Sequence, residues 1–83
     1  MTYSIGISVR TKTSQVLINR ADITVNVTTD FHAIRITFDL VRLLLLDESH
    51  KAWYSIVCLG SNETVIRKGT VHKNNNEHEE TEL

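Results

Sequence analysis

Four histidines, one cysteine and nine Lys and Arg side chains carry most of the chemical reach of this 83-residue chain. His32, His50, His72 and His78 stand at no spacing that sets two imidazoles on one helix face. Cys58 has no second cysteine, so neither a zinc site nor a disulfide framework is readable here. His32, beside Asp30 in a polar stretch, has the chemistry of a base or ligand but the setting of a solvated loop histidine. Cys58 has no cation next to it in sequence and alternates with Tyr54 and Ile56, the pattern of a buried structural thiol. Ser8, Ser14, Ser49, Ser55 and Ser61 lack a nucleophile-elbow context, and Gly6, Gly60 and Gly69 are isolated, so there is no phosphate-cradling loop. Asp47 and Glu48 are adjacent and read as turn residues rather than a paired acid and base. No catalytic residue, metal ligand or cofactor is assigned, and a non-enzymatic role is expected.

The basic side chains offer a second kind of chemistry. Arg10, Lys12, Arg35, Arg67 and Lys68 lie in or beside segments with strand character, and neighbouring strands would gather them into a patch suited to phosphate contacts. Tyr3 and Phe31 are the aromatics available for base stacking. The competing interpretation is solubilising charge on the wet side of a sheet. Charge is unevenly spread: residues 1–73 hold all nine Lys and Arg against six acids, while residues 74–83 hold four Glu and no Lys or Arg. The body is mildly basic and the end is acidic, although the net charge is −1.

The elements that would position these groups are mostly strands. Tyr3, Ile5, Ile7 and Val9 alternate with Ser4, Ser8 and Arg10. Val16-Leu17-Ile18 is a short apolar run, and Ile23, Val25 and Val27 alternate with Thr24, Asn26 and Thr28. Ile34, Ile36, Phe38 and Leu40 alternate with Arg35, Thr37 and Asp39, which predicts a hairpin pairing 22–28 with 33–40. Residues 40–46 are ambiguous between a bulged strand and a helix capped by Asp39 that runs to about Trp53; the strand is preferred. Trp53 to Leu59 and Thr64 to Val71 complete the strands, and residues 73–83 read as a flexible acidic tail because they have almost no apolar side chain to bury.

Two segments have apolar side chains on both faces. Trp53, Val57 and Leu59 oppose Tyr54, Ile56 and Cys58, and Leu43 to Leu46 is apolar throughout. A hairpin of the two would leave one oily face uncovered. Leu43, Leu45, Trp53, Val57 and Leu59 are therefore the expected interface of a homodimer or higher oligomer. One cysteine, no signal-like N-terminus and no apolar run long enough to span a bilayer point to a cytoplasmic protein without membrane contact.

The series Ile7 to Arg10, Val16-Leu17-Ile18, Ile23 to Val27 and Ile34-Arg35-Ile36 resembles the strand order of the bacterial carbon-storage-regulator RNA-binding dimers. It covers about a third of the chain, and it departs from that family in lacking a Gly-containing loop between the middle strands and in carrying Asp47-Glu48 where the family places basic RNA contacts. The terminal Thr81-Glu82-Leu83 resembles ligands of PDZ domains. The expected architecture is all-β: a small antiparallel meander of five or six strands, barrel or sandwich, in a single domain over 1–72 with an acidic tail over 73–83. The alternative is α+β with one helix near 40–53. The expected function is a small binding or regulatory protein acting through protein–protein contact, of adaptor, inhibitor or viral accessory type. The alternative is a nucleic-acid-binding sheet with a modest basic face.

Overall fold

A computed structural model describes residues 1–60, 62–74 and 77–82, with side chains for 1–60 and 62–73. The chain is a small, mostly β protein. Strands β1 (Thr2–Arg10), β2 (Val16–Asn26), β3 (Lys51–Leu59) and β4 (Thr64–Asn74) form one antiparallel sheet in the order β2-β1-β3-β4. Helix α1 (Asp30–Leu44) connects β2 to β3 and packs against β1, β3 and β4. The backbone of a short strand, β5 (Glu77–Glu82), pairs with the outer edge of β4.

β1 is internal because its alternation supplies a full row of apolar side chains. Tyr3, Ile5, Ile7 and Val9 are each at most 1% exposed. β3 lies beside it in unbroken register from Thr2↔Leu59 to Arg10↔Lys51 and adds Ala52, Tyr54, Ile56 and Cys58 to the same side. β2 flanks β1 with Ile18, Ile23 and Val25, and bulges between Arg20 and Ile23, where three steps along β2 match two along β1. Across this apolar face runs one stripe of the helix: Ala33, Thr37, Val41 and Leu45, spaced by four, are all buried. Thr37 Oγ1 donates back to the Ala33 carbonyl at 2.8 Å, so the one polar member of the stripe is satisfied within the helix. Phe38 meets Tyr54 edge to face with ring centroids 5.3 Å apart.

The ends of α1 are chemically marked. Thr29 is extended at the N-cap, and its hydroxyl accepts from the His32 N–H at 3.1 Å. Asp30 in the first turn favours the helix dipole, and its Oδ1 accepts from the Tyr3 hydroxyl at 2.5 Å. That bond fastens the helix start to the central strand. It is also the largest cause that pushes the Tyr3 phenol up to about 12 from 10.0, with burial adding to it. After the helix, Asp47 accepts from the Ser49 N–H and hydroxyl, which holds its carboxyl below the usual range and shapes the turn into β3.

Several expectations need correction. The sheet is open on one face and is neither barrel nor sandwich, and β1 sits between β2 and β3 rather than at the start of a meander. Residues 33–40 are helical and make no hairpin with 22–28. The one helix expected in the α+β alternative is present but lies earlier than 40–53, since α1 spans Asp30–Leu44 and β3 starts at Lys51. The physical reason is that period two and period 3.6 overlap in this stretch. Ile34, Ile36, Phe38 and Leu40 are half-buried shoulders flanking the 33-37-41-45 stripe, while Arg35, Asp39 and Arg42 share the exposed side. The strand order implied by the carbon-storage-regulator resemblance fails at the same place, because Ile34-Arg35-Ile36 lies in α1. The flexible tail expected over 73–83 falls in part on residues 75, 76 and 83, outside the described residues.

Two measurements probe this frame. Thr29→Ala removes the cap acceptor and is expected to lower unfolding stability by about 1 kcal/mol in urea denaturation. The folded protein holds the Tyr3 proton more tightly than the unfolded chain does. Its contribution is therefore intact below pH 10 and is lost as pH rises towards 12. Denaturation midpoints across that window should fall more steeply for the natural protein than for Tyr3→Phe, and parallel curves would refute the coupling.

Candidate functional site

The helix shelters one side of the sheet, and the register fixes what stands on the other. Ser4, Ser8 and Arg10 of β1, Lys51, Trp53, Ser55, Val57 and Leu59 of β3, and Lys68, Thr70 and His72 of β4 occupy the face away from α1. Arg10, Lys51 and His72 form one row across three strands through the pairs Arg10↔Lys51 and Lys51↔His72. The next row is Ser8, Trp53 and Thr70, and beyond it come Gly6, Ser55 and Lys68.

Trp53 is the centre of this face. The Arg10 guanidinium lies 5.4 Å from its ring centroid and the Lys51 ammonium 5.7 Å, so two cations approach one indole. The indole Nε1 is sheltered from solvent, and among the described residues no acceptor reaches it. Beside the ring is an open depression of about 320 Å³, lined by Gly6, Ser8, Asn19, Trp53, Ser55 and Lys68. Gly6 keeps its floor low: a Cβ there would stand 3.2 Å from Ser55 Oγ. The far end of the face is apolar, with half-buried Val57 and exposed Leu59 and Val65.

The basic side chains singled out from the sequence divide accordingly. Arg10 and Lys68 share the open face. Lys12 is exposed in the β1–β2 turn, where Thr11 and Gln15 exchange backbone and side-chain hydrogen bonds. Arg35 is on the opposite side of the molecule, with Phe31, His32 and Asp39 around a cleft of about 350 Å³. Arg67 is on the helix side, its guanidinium 5.6 Å from the Phe38 ring centroid. The extended hairpin expected of 43–59 does not form, and its residues disperse: Leu43 is 70% exposed on α1, Leu45 is 4% exposed beneath it, and Trp53, Val57 and Leu59 lie on the open face. Lys51 and His72 escaped the sequence-based selection. Lys51 was within reach of it, since period two from Trp53 places it on the same side, whereas His72 needs the β3–β4 register.

No family of known proteins, no curated protein and no solved structure matches this chain. Among the described residues no three His, Cys, Asp or Glu side chains gather to hold a metal, and no helix is long and apolar enough to cross a membrane.

Because Trp53 is the one tryptophan of the chain, its emission reports this face alone. Iodide should quench it more strongly than caesium, since two cations beside the ring enrich the anion. In Arg10→Gln/Lys51→Gln the two quenchers should converge, with stability changed by no more than about 1 kcal/mol. An unchanged iodide preference would show that these cations do not govern the approach to Trp53.

Proposed function

We propose that the chain is a non-enzymatic binding module that engages another protein through the open sheet face, and that the partner presents an acidic, partly apolar segment. The observation that carries this reading is Trp53 with Arg10 and Lys51 both beside its ring and a sheltered indole N–H that no acceptor reaches among the described residues. Trp and Arg are the side chains that concentrate binding energy at protein interfaces. A carboxylate would meet the cations and has the lone pairs to accept from the indole, while Val57, Leu59 and Val65 give an apolar partner side chain somewhere to bury. An adaptor or inhibitor role is compatible with such a surface.

A second reading, nucleic-acid binding, rests on the same cations joined by Lys68 and His72 next to one aromatic ring. It is the weaker fit because a single indole offers one stacking platform and the apolar end has no use in phosphate contact. Self-association by face-to-face stacking also fits less well, since two copies would bring Arg10, Lys51 and Lys68 into like-charged company.

Titration of the full chain with arrayed extended peptides of graded Asp and Glu content, and with oligothymidylate, read by Trp53 emission, tests the assignment. Acid-rich peptides carrying apolar residues should bind tightest, and Arg10→Gln/Lys51→Gln should weaken them about tenfold or more, while Arg35→Gln on the far side leaves them unchanged. Equal losses at Arg35, or tighter binding of oligothymidylate than of any peptide, would overturn it.

A further inference from the structure

Beside the open face, the sheet ends in a strand of unusual chemistry. β5 is Glu77-His78-Glu79-Glu80-Thr81-Glu82, with no apolar residue and only Thr81 favouring extended structure by type. Its attachment is the antiparallel backbone ladder to β4, from Asn74↔Glu77 to Gly69↔Glu82. The register is matched in charge. Glu79 is the partner of His72, which extends the row Arg10, Lys51, His72 by an acidic position. Glu80 stands opposite Val71 and diagonal to Lys73, and Glu82 stands opposite Gly69 and diagonal to Arg67. Four acids thus line the edge of a strand that carries Arg67, Lys68, His72 and Lys73.

We infer that the outer edge of β4 is a strand-accepting edge for an acidic extended segment of a protein partner, and that β5 is its intramolecular occupant. The inference rests on the function proposed above and names the mode of engagement: strand addition, with main-chain hydrogen bonds supplying affinity and the basic rows supplying selectivity for acid. A segment attached by a backbone ladder whose register sets acids beside basic positions is exchangeable, because charge complementarity at a sheet edge is weak and screened by salt. An acidic partner that also places an apolar side chain against Trp53 or Val57 has a contact that β5, by composition, cannot match. The chain's own end therefore sets a threshold that partners must exceed, and selects those that combine acid with an apolar anchor.

The test keeps the chain at full length. Glu77, Glu79, Glu80 and Glu82 are changed together to Gln, and binding of a fluorescein-labelled peptide with the sequence of residues 74–83 is followed by anisotropy. At about 20 mM salt the Gln variant should bind the peptide at least tenfold tighter than the natural chain, and the gap should close near about 0.5 M salt. Adding Lys51→Gln to the variant should remove most of the gain. Equal affinity in both chains, binding by neither, or a gain that persists at high salt would overturn the inference, as would a larger gain for oligothymidylate than for the peptide. Failure here is separable from failure of the binding face itself: Arg10→Gln/Lys51→Gln would still weaken the arrayed peptides even where neutralising β5 changes nothing.

Discussion

A single fifteen-residue helix has to shelter a sheet wider than itself. With side chains an α-helix is about 10 Å across, and strands are spaced at about 4.8 Å, so one helix covers two strands well and their neighbours partly. The burial follows that limit. β1 and β3 side chains facing the helix are almost wholly excluded from water, while Ile18, Ile23 and Val25 of β2 and Ile66 of β4 are only partly buried. Among the described residues no second layer stands on the other side, and the face left there is serine-rich along β1 with cations and one tryptophan along β3 and β4. The availability of that face is thus a consequence of how little helix the chain has.

The strands were largely legible because alternation over 2–10, 53–59 and 64–71 is stiff, β-branched and free of competing periodicity. The helix was not, although its signal is present. Arg35, Asp39 and Arg42 are spaced by four and three, and Ala33, Thr37, Val41 and Leu45 by four, while Thr29 precedes Asp30 as a cap. What obscured it was a period-two ladder of Ile34, Ile36, Phe38 and Leu40, the first three of which are β-branched or aromatic types that favour strand. Tertiary context decided the matter: a sheet already satisfied in its hydrogen bonds needs a cover more than another strand, and as a helix the segment brings Ala33 and Val41 into one core with Ile5 and Ile56.

The candidate site was legible by residue type and illegible by grouping. Five basic residues could be named from the sequence, yet only Arg10 and Lys68 share the face that matters. Grouping depends on which strands are neighbours, and the order β2-β1-β3-β4 is set by long-range pairing that sequence alone does not encode locally. The helix moved Arg35 to the far side, and alternation along β4 puts Arg67, opposite Ile56, on the helix side and Lys68, opposite Ser55, on the open one.

The open face carries two local costs that the fold does not require. Two cations are drawn to the same indole from within 5.4 and 5.7 Å of its centroid, and their mutual repulsion offsets part of what each gains from the ring. The indole N–H is withdrawn from water with no acceptor among the described residues, at a cost of about 1–3 kcal/mol. Elsewhere the same small protein satisfies its polar groups closely: Thr37 bonds within its own helix, Tyr3 reaches Asp30, and Asp47 is bonded by Ser49. A chain with so small a core has little stability to spare, so unfavourable terms concentrated at one place mark where local consistency gives way to another demand. A carboxylate beside the cations would relieve both terms at once, by offsetting the like charges with an opposite one and by accepting from the indole, which is the physical basis of the acidic partner proposed for this face.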